Sequence, residues 1–412
     1  PSVRLCRTPG RVKKRHQSPR PSAAEITEML EQRPLSLYIH IPWCLRKCPY
    51  CDFNSHAATS ELPEEEYVSA LCQDLETDVS LLELSDFSGF HSVFIGGGTP
   101  SLFSASAYEH LLDHIREKVG IERGAEITLE VNPGAAEAEK FRGYRMAGIN
   151  RLSIGIQSFH ADYLATLGRV HSGRDAEKAI EFCLAAGFDN FNLDLMHGLP
   201  GQSIEDVLED LQKALSFGPT HLSWYQLTIE PNTEFYARPP PLPEDDLLIE
   251  MQDSGIELIR EAGFQRYEVS AYSKLGYQSQ HNLNYWLFGD YLGIGAGAHG
   301  KISDPDAGHI KRTRKKRQPE HYLASGLSRL AEINSVPPED RTIEFLLNSL
   351  RLVEGFCIDE YEARTGLGFS HIAKQVDSLC DRGLLSKKED IVRATARGLS
   401  VLNSLISEFI EQ

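Results

Sequence analysis

Between Leu35 and Ala262 a short apolar, strand-like run is followed six times by a helical one, and this alternation restricts the fold more than anything else in the chain. The strand runs are Leu35 to Pro42, His91 to Gly97, Ile127 to Val131, Arg151 to Gln157, Phe191 to Leu195 and His221 to Ile229. The helical runs are Glu64 to Leu82, Ala105 to Val119, Ala136 to Ala147, Arg174 to Ala186, Ile204 to Leu215 and Glu244 to Ala262. Strand then helix, repeated, requires parallel strands joined by crossover helices. The prediction is an α/β fold, a partial (β/α)6 TIM-like barrel over residues 34–272. Polar and glycine residues gather where strands end: Gly96, Gly97, Gly98 and Thr99, then Glu130 and Asn132, then Gln157, then Asp194 and His197. Barrels of this type carry their site at that face.

The first strand leads into LYIHIPWCLRKCPYCDFNSH, where Cys44, Cys48 and Cys51 share one short loop. Three thiolates converging there leave a fourth position open, which suits an iron–sulfur cluster whose last iron binds something other than protein. A zinc ion completed by His56 or His40 fits the same spacing. With this loop included, five strand ends point at one mouth.

A chain of 412 residues is long enough for such a barrel plus a smaller domain. The formal net charge of −17 speaks against a broad nucleic-acid surface, since phosphate binding needs excess Lys and Arg. Of the eight cysteines, those outside the loop are scattered without the spacing of a disulfide framework, so a reducing compartment is expected. No apolar run approaches the ~18 residues of a membrane span. Residues 1–33 form a basic extension, with a short helix near Ala23 to Glu31, expected to be flexible. The protein is placed in the cytoplasm, or in the mitochondrion if the Arg-rich start is a transit peptide. Residues 273–337 read as an irregular connecting region. Residues 338–412 read as a mainly helical, winged-helix-like domain, with helices at Thr342 to Leu352, Asp359 to Thr365, Ser370 to Arg382 and Thr395 to Glu411 and a hairpin at Leu384 to Arg393. Carboxylates outnumber basic residues there, so packing rather than DNA binding is the expected role.

CLRKCPYC, preceded by Tyr38 and followed by Phe53, resembles the radical S-adenosylmethionine (SAM) signature in relatives of oxygen-independent coproporphyrinogen III oxidase. In the oxidase branch a further Cys follows the position of Asp52; here that place is Phe53, which moves the resemblance to the heme chaperone branch. The likeness runs from about Pro34 to the C-terminus. It implies a 4Fe–4S cluster held by Cys44, Cys48 and Cys51. It also implies SAM contacted by Gly97, Gly98, Thr99, Glu130, Gln157, Arg169 and Asp194, with Tyr38 reaching the SAM side of the cluster. The chemistry so implied is reductive cleavage of SAM to methionine and a 5′-deoxyadenosyl radical, the hard step being the cofactor's. The function implied is binding heme and handing it to respiratory hemoproteins, with an electron donor and a homodimer as further implied partners. The alternative is oxidative decarboxylation of coproporphyrinogen III to protoporphyrinogen IX. No side chain is assigned as a catalytic acid, base or nucleophile.

Several of these residues have plainer readings. The glycine triplet also fits a tight strand-to-helix turn. Glu130, ending an apolar strand, costs several kcal/mol if buried unpaired, and Arg151 or Arg169 could pair with it instead of a ligand. His281 in HNLNYW is a candidate axial ligand for heme iron, and His299 in GAGAHG competes with it. The basic run Lys311, Arg312, Arg314, Lys315, Lys316 and Arg317 suits heme propionates, an acidic partner or a solvated loop.

Overall fold

The structure, a computed structural model, describes residues 34–58, 61–82, 84, 89–135, 138–304, 308–324 and 328–410. The basic extension, its short helix and the transit-peptide reading lie outside the described residues.

In the first strand, β1 (Leu35–Ile41), the residues alternate strictly. Leu35, Leu37, Ile39 and Ile41 are at most 1% exposed and join the main apolar core, while Ser36, Tyr38 and His40 take the other face. Five more strands repeat this: β2 (Phe90–Gly97), β3 (Ile121–Val131), β4 (Arg151–Gln157), β5 (Phe191–His197) and β6 (His221–Gln226). They lie side by side in chain order, every pair parallel. The crossover helices are α1 (Glu64–Leu81), α2 (Ala105–Lys118), α3 (Ala138–Ala147), α4 (Gly173–Ala185) and α5 (Ile204–Ser216), and α6 (Asp245–Glu261) follows β6. Ser172 and Ser203 start α4 and α5 with reciprocal capping boxes to Asp175 and Asp206. The result is the expected partial α/β barrel, with apolar residues between sheet and helices.

The inner face is polar and internally bonded. Ser36 Oγ lies 2.8 Å from Ser92 Oγ, and His221 bridges Asn192 Oδ1 at 2.7 Å and the Tyr267 hydroxyl at 2.8 Å. Arg151, 2% exposed, pairs with Glu126 at 3.7 Å. Across the lumen's lower end, near the strand starts, runs a short helix, α7 (Gln280–Trp286), whose first backbone N–H donates to Glu126 at 3.0 Å.

This helix corrects the expectation of an irregular region over residues 273–337. After it come β7 (Asp290–Ile294), parallel to β1, and the antiparallel strands β8 (His299–Asp304), β9 (His309–Lys315) and β10 (Leu330–Ser335), which extend the sheet. Its glycines mark close approach of backbones rather than loops. A Cβ on Gly293 would lie 1.8 Å from the His299 carbonyl oxygen, and one on Gly295, at φ +101°, 2.3 Å from that of His40.

The C-terminal domain has its own core, built on Phe345, Tyr361, Val376, Leu379, Val392 and Leu405. Helices Pro338–Ser349, Ile358–Thr365 and Ala373–Asp381 pack with a three-stranded sheet of Phe356–Cys357, Ile391–Ala394 and Leu385–Lys388. The single last helix expected from Thr395 to Glu411 is instead two, Ala396–Ser400 and Leu402–Ser407. The chain bends at Val401, and Leu402, Leu405 and Ile406 are buried in the domain core. Among the described residues no helix is long and apolar enough to cross a membrane.

Candidate cofactor site

The strand ends enclose a cavity of about 430 Å³, lined by Cys44, Cys48 and Cys51 on one side and by Gly97, Gly98, Thr99, Glu130, Gln157, Arg169 and Asp194 on the others. Of the positions expected from the five strand ends, all but Gly96 and His197 line this cavity, and the sixth strand adds Tyr225 and Gln226. Tyr225 was missed, although an aromatic next to a Gln at a strand end could have marked it. Its hydroxyl donates to Gln157 Oε1 at 2.8 Å, and Gln157 sits in the left-handed region at φ 71°. His197, expected at the mouth, is 2% exposed and packs its ring 4.3 Å from that of Trp224.

Backbone bonds set the thiol loop against the glycine turn. Gly98 N donates to Ile41 O and Thr99 N to Trp43 O, both at 2.7 Å. A side chain on Gly98 is excluded because its Cβ would fall 2.5 Å from the Trp43 oxygen. Burial pushes the Cys44 and Cys51 thiols up; a Thr99 side-chain bond opposes this at Cys44 and a Ser55 one at Cys51. Arg169 reaches Cys48 Sγ at 3.9 Å and the Gly155 carbonyl at 2.7 Å, with its buried Nε unpartnered.

The histidines needed for a zinc site are engaged elsewhere. His40 contacts the Tyr38 hydroxyl at 2.9 Å through Nδ1 and the Asn54 carbonyl at 2.8 Å through Nε2, and His56 Nε2 lies 3.2 Å from Asn54 Oδ1. Nor do any three His, Cys, Asp or Glu side chains among the described residues stand close enough to hold a single ion. A cubane attaches its thiolates to separate irons and accepts the wider spread.

Neither arginine pairs with Glu130: Arg151 is on Glu126 and Arg169 on the thiol side. Glu130 instead accepts from Gly97 N at 3.0 Å, and its carboxyl is pushed up to about 8, first by burial and then by the nearby Asp194 charge. Asp194 is also raised by burial, though it accepts from Asn192 at 2.8 Å and Ser153 at 3.1 Å. Two carboxyls facing one chamber, neither of them in an ion pair among the described residues, fit a ligand carrying positive charge and hydroxyl donors. Tyr38 opens onto a second, adjoining cavity of about 590 Å³ that shares Asp52, Phe53, Gly97 and Glu130 with the first. His281 lines neither.

A partial parallel barrel with a three-thiol loop at its mouth and carboxylates on its strand ends defines a radical SAM protein. The family model described as the radical SAM superfamily matches residues 38–214, and the HemN C-terminal domain matches residues 336–401. Heme chaperone HemW of Haemophilus influenzae is 49% identical over 92% of this chain and 98% of its own, and that of Escherichia coli 48% over 93% and 100%. The chain belongs to the HemW heme chaperone family of radical SAM proteins. The mitochondrial radical S-adenosyl methionine domain-containing protein 1 of Mus musculus is 34% identical over 92% of this chain and 87% of its own. The solved structure of Escherichia coli coproporphyrinogen III oxidase (HemN) superimposes with a TM-score of 0.77 over 94% of this chain and 93% of that one, at 21% identity, which establishes the shared fold.

Membership implies a 4Fe–4S cluster and SAM, and the residues present fit both. Bound there, the cluster supplies one-electron reduction of a sulfonium. The chain offers three thiols for the cluster, and the polar groups of Glu130, Gln157 and Asp194 on the walls of the same cavity. Anaerobic reconstitution is expected to give a brown protein with about four irons per chain, falling to background on Cys48→Ala. A colourless protein holding stoichiometric zinc refutes the assignment.

Proposed function

We propose that this protein is a heme chaperone: it binds heme beside its SAM-ligated 4Fe–4S cluster and passes it to respiratory hemoproteins in a reducing compartment. Cys44, Cys48 and Cys51 are the proposed cluster ligands, and Gly97, Gly98, Thr99, Glu130, Gln157, Arg169 and Asp194 the proposed SAM contacts. The observation that carries the reading is the second cavity. It adjoins the SAM chamber through Phe53 and Glu130, has aromatic walls in Tyr285 and Tyr291, and has Arg314 at its edge. That combination suits a flat ring bearing carboxylates. Phe53 stands where the oxidase carries a further Cys, which argues against oxidase chemistry. The relatives' name supports the same reading, as does their coverage of nearly the whole chain.

Two assays test it. Hemin titration of the purified chain is expected to give a saturable Soret band, and a linear, unsaturable change counts against the proposal. With SAM, a reductant and coproporphyrinogen III, no protoporphyrinogen IX is expected; steady formation establishes an oxidase instead.

A further inference from the structure

We propose that heme occupies the second cavity with its iron on His299 and its carboxylates on Arg314 and Arg317, and that His281 is a positioning residue in the barrel lumen. The proposal rests on the heme-chaperone reading and assigns its residues.

His281 is the residue that the HNLNYW pattern singles out, yet its ring is walled in. It is 2% exposed, stacked on Phe94 at 4.9 Å and 22°, and met edge-on by Tyr285 at 4.6 Å and 74°. Its Nδ1 lies 3.5 Å from Ser92 Oγ, and its Nε2 is buried without a partner. A porphyrin bound to either nitrogen has to lie across the imidazole edge, where Phe94, Tyr285 and the strand floor leave no space for a ring.

His299 is the opposite case. It begins β8, is exposed, and lines the cavity. None of the hydrogen bonds among the described residues involves its imidazole, and partial desolvation of the ring on the cavity wall, followed by the charges of Arg314 and Arg312, lowers its proton affinity and favours the neutral form that iron binds. The strand register places Arg314 directly opposite it on β9, so imidazole and guanidinium project from the same face. Arg314 is paired with Glu332 at 2.7 Å, but both are exposed and the contact is readily exchanged for another carboxylate. Arg317, also on the cavity wall, bonds Asn54 Oδ1 through Nε at 3.0 Å. Tyr285 and Tyr291, in edge contact at 4.4 Å, close the aromatic side. One imidazole, two guanidiniums and an aromatic wall recognise a metalloporphyrin with free carboxylates. His281, touching Tyr285, holds that wall in place.

The test uses the full chain with hemin as probe, read by absorption titration and by electron paramagnetic resonance. His299→Ala is expected to weaken binding at least tenfold and to lose the imidazole-ligated signal, with added imidazole restoring it. Arg314→Ala combined with Arg317→Ala is expected to weaken binding at least tenfold while keeping that signal, and to bind hemin dimethyl ester as the parent does. His281→Ala is expected to weaken binding a few-fold with the signal intact. A parent-like His299→Ala protein overturns the assignment and leaves the chaperone reading standing; so does loss of the imidazole signal in a folded His281→Ala protein alone. If His281→Ala does not fold, as judged by circular dichroism, the His299→Ala titration decides. A parent chain that gives no saturable Soret band overturns both.

Discussion

Lys315→Met is expected to lower the melting temperature by roughly 10 °C at pH 7.5, far more than the loss of any exposed ion pair on the surface would cause. Lys315 ends β9 fully buried, its Nζ 2.6 Å from both Asp74 Oδ1 and Asp78 Oδ1 on α1. Asp74 also accepts from the Tyr322 hydroxyl at 2.7 Å and from Gly295 N at 3.3 Å. One ammonium thus ties the strand that carries Arg314 to the first barrel helix and, through Asp74, to the turn after β7. Removing it leaves two carboxylates buried with no cation, a loss on the order of 3–5 kcal/mol. Even with Lys315 present, Asp78 is raised to about 6, because burial outweighs the ammonium. In the variant, protonation relieves the repulsion, so the deficit is expected to shrink as pH falls from 8 to 5. Adding Asp74→Asn and Asp78→Asn is expected to recover much of the loss. Thermal melts of the three proteins across that range check this, and a pH-independent deficit contradicts it.

The parts of the fold that were legible follow from two local patterns. In β1 the sequence LSLYIHI alternates strictly, and the glycine triplet after β2 punctuates a strand end, so both could be read without a partner strand. β7, β8 and β9 could not. Gly293, Gly295 and Gly300 weaken any strand signal, and their purpose is contact with chain far away in sequence, as with Gly295 against His40. The basic run is misleading for the same reason. It reads as a solvated loop but is mostly a strand, with Lys315 turned inward, Arg312 on Glu344 at 2.6 Å and Arg314 on Glu332. Most residues lining the thiol chamber were legible as types at strand ends; Arg169, which follows the short helix Ala161–Thr166, was not. That Glu130 is left without an arginine, and that His281 faces the lumen, depends on which strand lies next to which.

Glu130→Gln is expected to raise the SAM dissociation constant on the order of 100-fold while making the ligand-free protein more stable, and the two effects have one cause. Glu130 holds its carboxyl in the chamber with one bond, from Gly97, and is pushed up to about 8 from a usual 4.5. A carboxyl raised in the folded state costs stability progressively as pH climbs from 4.5 to about 8. The amide keeps an acceptor for Gly97 and removes that cost, on the order of 2 kcal/mol near neutral pH, so the melting temperature is expected to rise by several degrees. It also removes the negative charge that a cationic ligand uses, and truncating a buried charge pair costs about 2–5 kcal/mol of binding. In the parent protein, affinity for SAM is expected to increase from pH 6 to 8 and level off above about 8, with Glu130 releasing close to one proton per SAM bound at pH 7 beyond any proton that the ligand's own amine gives up. Calorimetry in two buffers of different ionisation enthalpy reads that proton directly. The Gln variant is expected to release close to one proton fewer per SAM than the parent, while retaining its iron, since no thiolate is touched. Parent-like SAM affinity in the variant, or equal proton release by parent and variant, shows that Glu130 does not face the ligand's positive charge.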